Sequence, residues 1–412
     1  MDERARTPDA TPATTSKRRA RRGRGASLLA LGVGGVLLLT ACGGDQPYST
    51  TSPQSDVAGD IQWLYKIIFW AALVVFLGVQ AAIVYTALRF KRRGENEDRP
   101  EQIHGNKRLE LAWTLIPAIV LLVIFIPTAQ IIYKHADAAQ EADITIDAYG
   151  NQWWWEFHYP DEYGNAVTAN EIRLPLGKEV VFNLRSNNVI HSFWVPQLSG
   201  KMDVMPGHNN RLSFKADRVG EYWGECAEFC GTAHAWMRFR VIVEPEEQFN
   251  AWVQAWHQPP AYDATPSTGD VAEAPASFAV CTACHNVTGT NAKNGQQGIL
   301  ANPLGISHAP DLTLFACRDT IGAGVLANNR ENLAIWLKET KEVKPGTYMP
   351  NYYKGGQIND QQVDEIVDYL SSLTPPGGCP QDPPIGGEIP NHGVGDEESG
   401  TVLPAATPGA TT

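Results

Sequence analysis

Two long apolar runs dominate the hydropathy pattern of the first third of the chain. They span residues 63–90 and 111–133, and each exceeds the roughly 20 residues that a helix needs to cross a bilayer. The first run has charges only near its ends, at Lys66 and Arg89, and the second run has none. The pattern therefore predicts a transmembrane hairpin over residues 57–135 rather than buried helices of a soluble domain.

A basic loop joins the two runs. Six Lys and Arg side chains lie between residues 91 and 108: Lys91, Arg92, Arg93, Arg99, Lys107 and Arg108. Because cytoplasmic loops are enriched in positive charge, this loop is predicted to face the cytoplasm. Both outer ends of the hairpin then face the opposite side of the membrane.

Beyond the hairpin, the pattern changes to short alternating or β-branched segments separated by Gly, Pro and Asn clusters. Four such segments occupy residues 144–146, 180–184, 211–214 and 238–243. Short strands at this spacing are typical of a β-sandwich, which we predict over residues 143–257. Residues 258–276 are rich in Pro, Ala and Asp and are predicted to form a linker.

The last part of the chain contains a helical pattern followed by a polar tail. Four apolar side chains have the spacing of one face of an amphipathic helix: Val363, Ile366, Val367 and Leu370. We expect this helix to close an all-α domain over residues 277–375. Residues 376–412 are rich in Pro, Gly and acidic side chains, so they are predicted to be a disordered tail.

The first 41 residues have the organisation of a secretory signal. A basic stretch at residues 17–24 precedes an apolar stretch at residues 26–41, which is too short to span a bilayer comfortably. The sequence Leu39-Thr40-Ala41-Cys42 resembles a bacterial lipoprotein box, which makes Cys42 the expected lipidation site. An ordinary signal with an incidental cysteine is the alternative.

The charge balance argues against nucleic acid as a partner. The whole chain has a formal net charge of −12, and residues 1–26 hold eight basic and three acidic side chains, so the remainder carries −17. An acidic surface of this kind repels nucleic acid and suits a basic redox protein.

Four soft or borderline metal donors occur within one run of twelve residues: Cys226, Cys230, His234 and Met237. Thiolates, imidazole and thioether together favour copper. A complete site needs another imidazole, and His191, which follows a predicted strand, is a better candidate than His158 or His208. A disulfide between the two cysteines is the alternative.

A second redox motif follows at Cys281-Thr-Ala-Cys284-His285. Cys-x-x-Cys-His is the attachment signature of a c-type haem, with the histidine as an axial ligand of the iron. Met349 is the only methionine after the linker and is the predicted second axial ligand, with His308 as the alternative. A thioredoxin-like dithiol is disfavoured because no βαβ pattern surrounds the motif.

Two cysteines, Cys317 and Cys379, belong to neither motif. In an exported domain they could form a disulfide that closes the haem domain, because that compartment is oxidising. Two free thiols are the alternative.

The copper run, with His191 upstream and two predicted membrane helices before it, resembles subunit II of cytochrome c oxidase over roughly residues 57–257. The resemblance implies a cupredoxin fold with a dinuclear copper A centre. Its implied ligands are the bridging thiolates of Cys226 and Cys230, the imidazoles of His191 and His234, the thioether of Met237 and the backbone carbonyl of Glu228. The Glu228 side chain is also implied to bind magnesium at the contact with subunit I.

The resemblance extends to three further features. In Gln152-Trp153-Trp154-Trp155, Trp153 is implied as the point where electrons enter from cytochrome c, whereas its two successors suit an aromatic core. Glu110 is implied at the mouth of a proton-input path, although an ordinary interfacial charge is equally compatible. Residues 275–375 resemble a small class I cytochrome c.

These resemblances predict a multidomain membrane protein with a two-helix transmembrane hairpin, an all-β cupredoxin-like sandwich and an all-α class I cytochrome c domain. They imply subunit II of a bacterial terminal oxidase in the cytoplasmic membrane, with the copper and haem domains on the outer, periplasmic face. Electrons would pass from a donor through haem c to copper A and on to subunit I, where oxygen is reduced with proton translocation.

The expected partners are subunits I and III, membrane lipid, and an upstream cytochrome or quinol–cytochrome c reductase. Three other classes are less compatible with the sequence. Nitrous oxide reductase has copper A but no such hairpin, quinol oxidase subunit II lacks the copper ligands, and a copper-delivery lipoprotein needs no haem.

Overall fold

The computed structural model describes residues 48–91, 105–138, 142–258, 274–287 and 309–380. Several sequence predictions lie outside these residues: the signal over 1–41, the lipidation site Cys42, most of the linker, the alternative haem ligand His308, and the tail beyond residue 380.

Two long helices form the predicted hairpin. Helix α1 spans Asp56–Arg89 and helix α2 spans Lys107–Ala138, and both are long and apolar enough to cross a membrane. Ser55 caps α1 by accepting a hydrogen bond from the Ala58 N–H. The apolar side chains along both helices are exposed, as expected for surfaces that face lipid.

The segment before α1 attaches the hairpin to the next domain. Gln54 donates its N–H to the Gln197 carbonyl at 2.8 Å and accepts from the Asp217 N–H at 2.9 Å.

At the same end of the hairpin, Lys134 and His135 of α2 both contact the Asp60 carboxylate of α1, at 2.6 and 2.9 Å. The start of α1 is therefore fixed to its partner helix.

Residues 142–258 form the sandwich domain. Its strands are β1 (Ile144–Asn151), β2 (Trp154–His158), β3 (Val167–Ala169), β4 (Glu171–Pro175), β5 (Glu179–Ser186), β6 (His191–Trp194), β7 (Met202–Val204), β8 (Asn210–Lys215), β9 (Gly220–Cys226) and β10 (Arg238–Glu244). They form two five-stranded sheets, ordered β3-β2-β1-β5-β8 and β4-β10-β9-β6-β7. Only the β1–β5 and β4–β10 pairs are parallel among these.

Aromatic side chains fill the space between the two sheets. Trp155, Phe157, Phe182, Phe193 and Phe239 are fully buried there, and the Phe193 and Phe239 ring centroids are 4.7 Å apart. The alternation of buried and half-buried residues along β1 matches the period of two expected for a strand with one face in a core. Helix α3 (Glu246–Trp256) covers one side of the sandwich.

The described residues from 274 onward form the C-terminal domain. It contains α4 (Arg330–Lys338), α5 (Thr340–Val343), α6 (Asp360–Ser371) and a 3₁₀ helix over Ala276–Val280. Helix α6 begins with a capping box between Asn359 and Gln362, and its predicted apolar face packs in the domain core with Phe278. A short antiparallel pair, β11 (Thr320–Ile321) and β12 (Leu326–Ala327), was not indicated by the sequence pattern.

Cys317 and Cys379 are joined in a disulfide. The start of the predicted disordered tail at residue 376 stays a prediction. The covalent bond ties Cys379 to the folded domain, and the composition of the tail does not reveal that constraint.

Candidate metal centre and haem pocket

The end of β9 and the start of β6 bring the metal donors together. In the sheet register Phe193 of β6 lies opposite Cys226 of β9, which places His191 beside the loop that leaves β9. The loop then folds back on itself, and the Cys226 N–H donates to the Met237 carbonyl at 3.1 Å. The donors from sequence positions 191 and 226–237 thus share one end of the sandwich.

The two cysteine sulfurs lie at the centre of the predicted donor set. From Cys226 Sγ, the distances are 3.8 Å to His191 Nδ1, 3.8 Å to Cys230 Sγ and 3.3 Å to the Glu228 carbonyl oxygen. From Cys230 Sγ, they are 3.5 Å to His234 Nδ1 and 3.9 Å to Met237 Sδ. Each sulfur therefore has its own imidazole, and one has the thioether and the other the carbonyl.

The separation of the two sulfurs fits a shared metal. A disulfide requires about 2.0 Å, so at 3.8 Å the cysteines are free thiols, and the disulfide alternative does not apply to this geometry. Metal–thiolate bonds of about 2.3 Å allow one ion to contact two sulfurs at this separation. Cys226, Cys230, His191 and Met237 are all buried, which excludes water from these donors.

The electrostatics of the thiol pair also favours a cation. Their mutual contact lowers the pKa of Cys226 to about 4, with further hydrogen bonds from His191 and the backbone acting in the same direction against burial. The same contact, together with burial, raises the pKa of Cys230. The pair thus accepts one negative charge and resists a second, and a metal cation between the sulfurs would remove that repulsion.

A hydrogen bond to Asn188 orients the His191 imidazole. Its Nε2 lies 2.9 Å from Asn188 Oδ1, so Nε2 carries the proton and Nδ1 is left to face the sulfur. Such a hydrogen bond fixes the tautomer of a metal-binding imidazole. Gly150 of β1 lies against the same ring, and a Cβ at this position would be only 2.7 Å from His191 Cδ2.

A cavity of about 430 Å³ occupies the C-terminal domain, within the 300–1,000 Å³ usual for ligand sites. The predicted attachment cysteines, Cys281 and Cys284, line it together with His285 and Met349. Its walls are mainly apolar, with Phe278, Leu333, Leu337, Ile366 and Leu370 among them. These residues fit a flat apolar macrocycle that is attached through two thiols.

His285 is prepared as an axial ligand. Its Nδ1 donates to the Pro310 carbonyl at 2.8 Å, which leaves Nε2 for a metal. Burial lowers the pKa of His285, so the neutral, ligating form is favoured. Burial raises the pKa values of Cys281 and Cys284.

Comparison with known proteins gives three family matches along the chain. Residues 49–131 match the transmembrane domain of cytochrome c oxidase subunit II, and residues 164–244 match its periplasmic domain. Residues 271–374 match cytochrome c.

Curated relatives match over most of the chain. Cytochrome c oxidase subunit 2 of Bacillus sp. (strain PS3) is 36% identical over 354 residues, which cover 82% of this chain and 94% of that protein. The protein of the same name from Alkalihalophilus pseudofirmus is 32% identical over 346 residues, with the same two coverages. The chain belongs to the cytochrome c oxidase subunit II family.

As a subunit II with a C-terminal cytochrome c domain, the chain is an electron-transfer component of a haem–copper oxidase complex. The periplasmic domain of subunit II of cytochrome oxidase from Bradyrhizobium japonicum is 33% identical, with a TM-score of 0.27, and covers 28% of this chain and 93% of that one. Quinol oxidase subunit 2 of Bacillus anthracis is 33% identical over 241 residues, or 57% of this chain.

Trp153 of this subunit II lies between the two redox domains. It is buried, and its indole N–H donates to the Cys230 carbonyl at 3.1 Å. On its other side it stacks on Tyr348 of the C-terminal domain, with ring centroids 4.8 Å apart, and it lines the haem cavity. As expected, Trp155 belongs to the sandwich core, while Trp154 packs with Ala323 of the C-terminal domain.

Three other candidates lie away from the metal donors. His158 pairs with Glu156, and His208 is exposed. Glu110 lies in the first turn of α2 and accepts a hydrogen bond from the Asn106 N–H at 3.1 Å, which is how an ordinary helix-terminal carboxylate behaves. Its role in a proton path stays a prediction.

Sequence reasoning missed the residues that join the two domains. Lys344 of the C-terminal domain is buried, and its Nζ donates to the Trp153 carbonyl at 2.6 Å. Glu171 of the sandwich accepts hydrogen bonds from the Asp319 and Thr320 backbone N–H groups at 3.0 and 2.9 Å. Isolated charges carry no signal in the sequence that would have revealed either contact.

Proposed function

We propose that this subunit II carries electrons from an upstream cytochrome or quinol–cytochrome c reductase through covalent haem c to copper A and on to subunit I. Subunit I would reduce oxygen to water with proton translocation. The observation that carries the proposal is the convergence of two buried free thiols with two imidazoles and a thioether. Quinol oxidase subunit II lacks these copper ligands, so the presence of this donor set disfavours that class.

The chain's part at the copper centre is to hold its ligands rigidly. The proposed ligands are His191, Cys226, Glu228 through its carbonyl, Cys230, His234 and Met237. When bound, the two copper ions supply one-electron redox chemistry shared across both thiolates. The buried sulfurs and the Asn188 hydrogen bond to His191 keep the ligands in place, so little rearrangement accompanies a change of charge.

The C-terminal domain supplies the proposed haem site. Cys281 and Cys284 would form the thioether links, with His285 and Met349 as axial ligands. A bound haem c supplies a second one-electron centre. A methionine ligand raises the reduction potential relative to a second histidine, which suits donation to a high-potential acceptor.

An exposed apolar patch supports docking of subunit I at the metal loop. Its exposed residues flank the metal donors in sequence: Val189 and Ile190 directly precede His191, and Phe229, which is 76% exposed, directly precedes Cys230. Apolar patches of this kind mark interaction surfaces. We infer that this patch contacts subunit I and that the exposed Glu228 carboxylate binds magnesium at that contact.

The proposed location is the bacterial cytoplasmic membrane, with both redox domains on the periplasmic face. The hairpin and the basic residues at its loop support this orientation, with Lys91, Lys107 and Arg108 at the inner helix ends. Contact with subunit III and lipidation at Cys42 stay predictions from the resemblance.

Metal analysis of the full-length chain, purified in detergent, tests the proposal. We expect two copper ions per covalent haem, the near-infrared absorption of copper A and the visible bands of haem c. Cys230→Ser should lose the copper and keep the haem, whereas Thr232→Ser in the same loop should retain both. Wild-type protein with haem but without copper, and with Cys226 bonded to Cys230, would contradict the proposal.

A further inference from the structure

The contact between the two redox domains contains a continuous series of packed groups. Tyr348 directly precedes Met349, and its ring stacks on Trp153 with an interplanar angle of 21°. The Trp153 N–H in turn donates to the Cys230 carbonyl at 3.1 Å. Only two aromatic side chains therefore separate the proposed haem ligand Met349 from the proposed copper ligand Cys230.

We propose that Tyr348 is the bridging residue through which electrons pass from the haem to Trp153, and that Lys344 is the residue that positions this bridge. This inference rests on the proposed function and goes beyond it by assigning roles to two residues of the cytochrome domain. One electron moves at this step. A bound haem would supply this electron and pass from ferrous to ferric, the bound copper centre would accept it, and no bond or proton would change place.

The stacked contact matters because electron tunnelling slows exponentially as the gap between donor and acceptor widens. Packed aromatic atoms conduct better than an open gap of the same width. The Tyr348 hydroxyl donates a hydrogen bond to Gln152 Oε1 at 3.4 Å. The residue next to Trp153 therefore orients the outer edge of the Tyr348 ring. The ring, rather than the hydroxyl, makes the contact with the indole.

Lys344 fixes the segment that carries Tyr348. Its Nζ donates to the Trp153 carbonyl at 2.6 Å and to the Gly322 carbonyl at 3.0 Å, and so it joins the two domains at the bridge. Burial lowers the pKa of Lys344 to about 7, and a buried amine that keeps two carbonyl partners is expensive to move. Gly346, between Lys344 and Tyr348, allows the close approach, since a Cβ there would lie 2.7 Å from Thr232 Cγ2.

A second contact holds the domains together without Tyr348. Glu171 accepts three hydrogen bonds, two from backbone N–H groups and one from the Thr320 hydroxyl at 3.1 Å. Arg240 Nη1 contacts Asp319 Oδ2 at 2.7 Å, and the Arg240 side chain is only 1% exposed. Loss of the Tyr348 ring should therefore leave the two domains docked.

The test compares variants of the full-length chain loaded with haem and copper. A photoreductant injects one electron into the haem, and the rate of copper reduction is followed by absorption. Tyr348→Leu should slow this step severalfold, because loss of the ring leaves a gap between Met349 and Trp153 that the electron must then cross. Tyr348→Phe, which keeps the ring, should stay close to wild type.

Two further variants separate bridging from general damage. Tyr353→Leu alters a tyrosine of the same loop that contacts Asp360 instead of the sandwich, and it should leave the rate unchanged. Lys344→Met should slow the transfer. The midpoint potentials of haem and copper should be unaltered in both Tyr348 variants, because these change neither a ligand nor a charge.

Three outcomes would overturn the inference. A wild-type rate in Tyr348→Leu would show that the ring is not on the route. A slower rate together with a shifted haem potential would give Tyr348 a structural role in the haem pocket instead. If the wild-type chain itself holds both centres but transfers no electron between them, the proposed function fails and the inference fails with it.

Discussion

Gly150→Ala should weaken copper binding without touching any ligand. Gly150 lies in β1 directly against the His191 ring, and an added Cβ would be 2.7 Å from Cδ2, 2.9 Å from Cγ and 3.2 Å from Cβ of His191. Carbon atoms in ordinary contact lie about 3.5–4.0 Å apart, so the imidazole would have to retreat by about 1 Å. Asn188 holds its Nε2 and Trp155 packs nearby, which leaves little room for that movement.

The structure gives a magnitude for this effect. Metal–ligand distances tolerate only about 0.2 Å of variation, so a 1 Å retreat removes most of the benefit of the His191 ligand. Changes in groups that orient ligands already cost about 10–100-fold in metal affinity. We expect a loss near the upper end, about 100-fold, which corresponds to about 3 kcal/mol.

Competition with a copper chelator measures this loss in the full-length chain. Haem content serves as an internal control, because the C-terminal domain should still take up its haem. Gly200→Ala is the matched control, since its added Cβ would meet only Ile61 Cδ1 at 3.5 Å. Copper affinity equal to wild type in Gly150→Ala would refute the argument that this glycine makes room for the ligand.

Two further predictions concern the C-terminal domain. Replacing both Cys317 and Cys379 by serine should lower the free energy of unfolding by about 4 kcal/mol, because their disulfide spans 62 residues and restricts the unfolded chain. Denaturant unfolding followed through the haem absorption measures this loss. An unchanged unfolding midpoint would contradict the prediction. Glu171→Ala should speed hydrogen exchange at the Asp319 and Thr320 amides about fivefold or more, because each loses a buried acceptor worth about 1–3 kcal/mol. Exposed Glu162→Ala is the control, and equal exchange in the two variants would count against a fixed contact.

The metal donors could be predicted because most of them are neighbours in sequence. Cys226, Cys230, His234 and Met237 lie in one loop, and so short a loop cannot carry them far apart. The strand that precedes His191 makes it a candidate, and its position depends on one register, with Phe193 opposite Cys226. In the same way, Cys281, Cys284 and His285 form a motif whose spacing already encodes the chemistry.

The groups that support these donors could not be predicted, because tertiary contacts alone bring them together. Gly150 and His191 belong to different sheets, and no local pattern connects them. Tyr348 and Trp153 are 195 positions apart in sequence and meet only where the two domains touch. The periodicity of a strand or helix indicates which face is buried, but it does not identify the residue on the other side.

The domain contact also changes how the linker should be understood. A Pro- and Ala-rich linker suggests a haem domain that reaches copper by tethered diffusion, with an effective concentration set by linker length. The buried Arg240 instead lies between Glu171 of the sandwich and Asp319 of the C-terminal domain, at 3.9 and 2.7 Å. Separation would deprive Glu171 and Lys344 of their partners in the other domain, and such groups are costly to leave unpaired. The distance between the two redox sites is therefore set by packing at this contact, and the linker only has to be long enough to permit it.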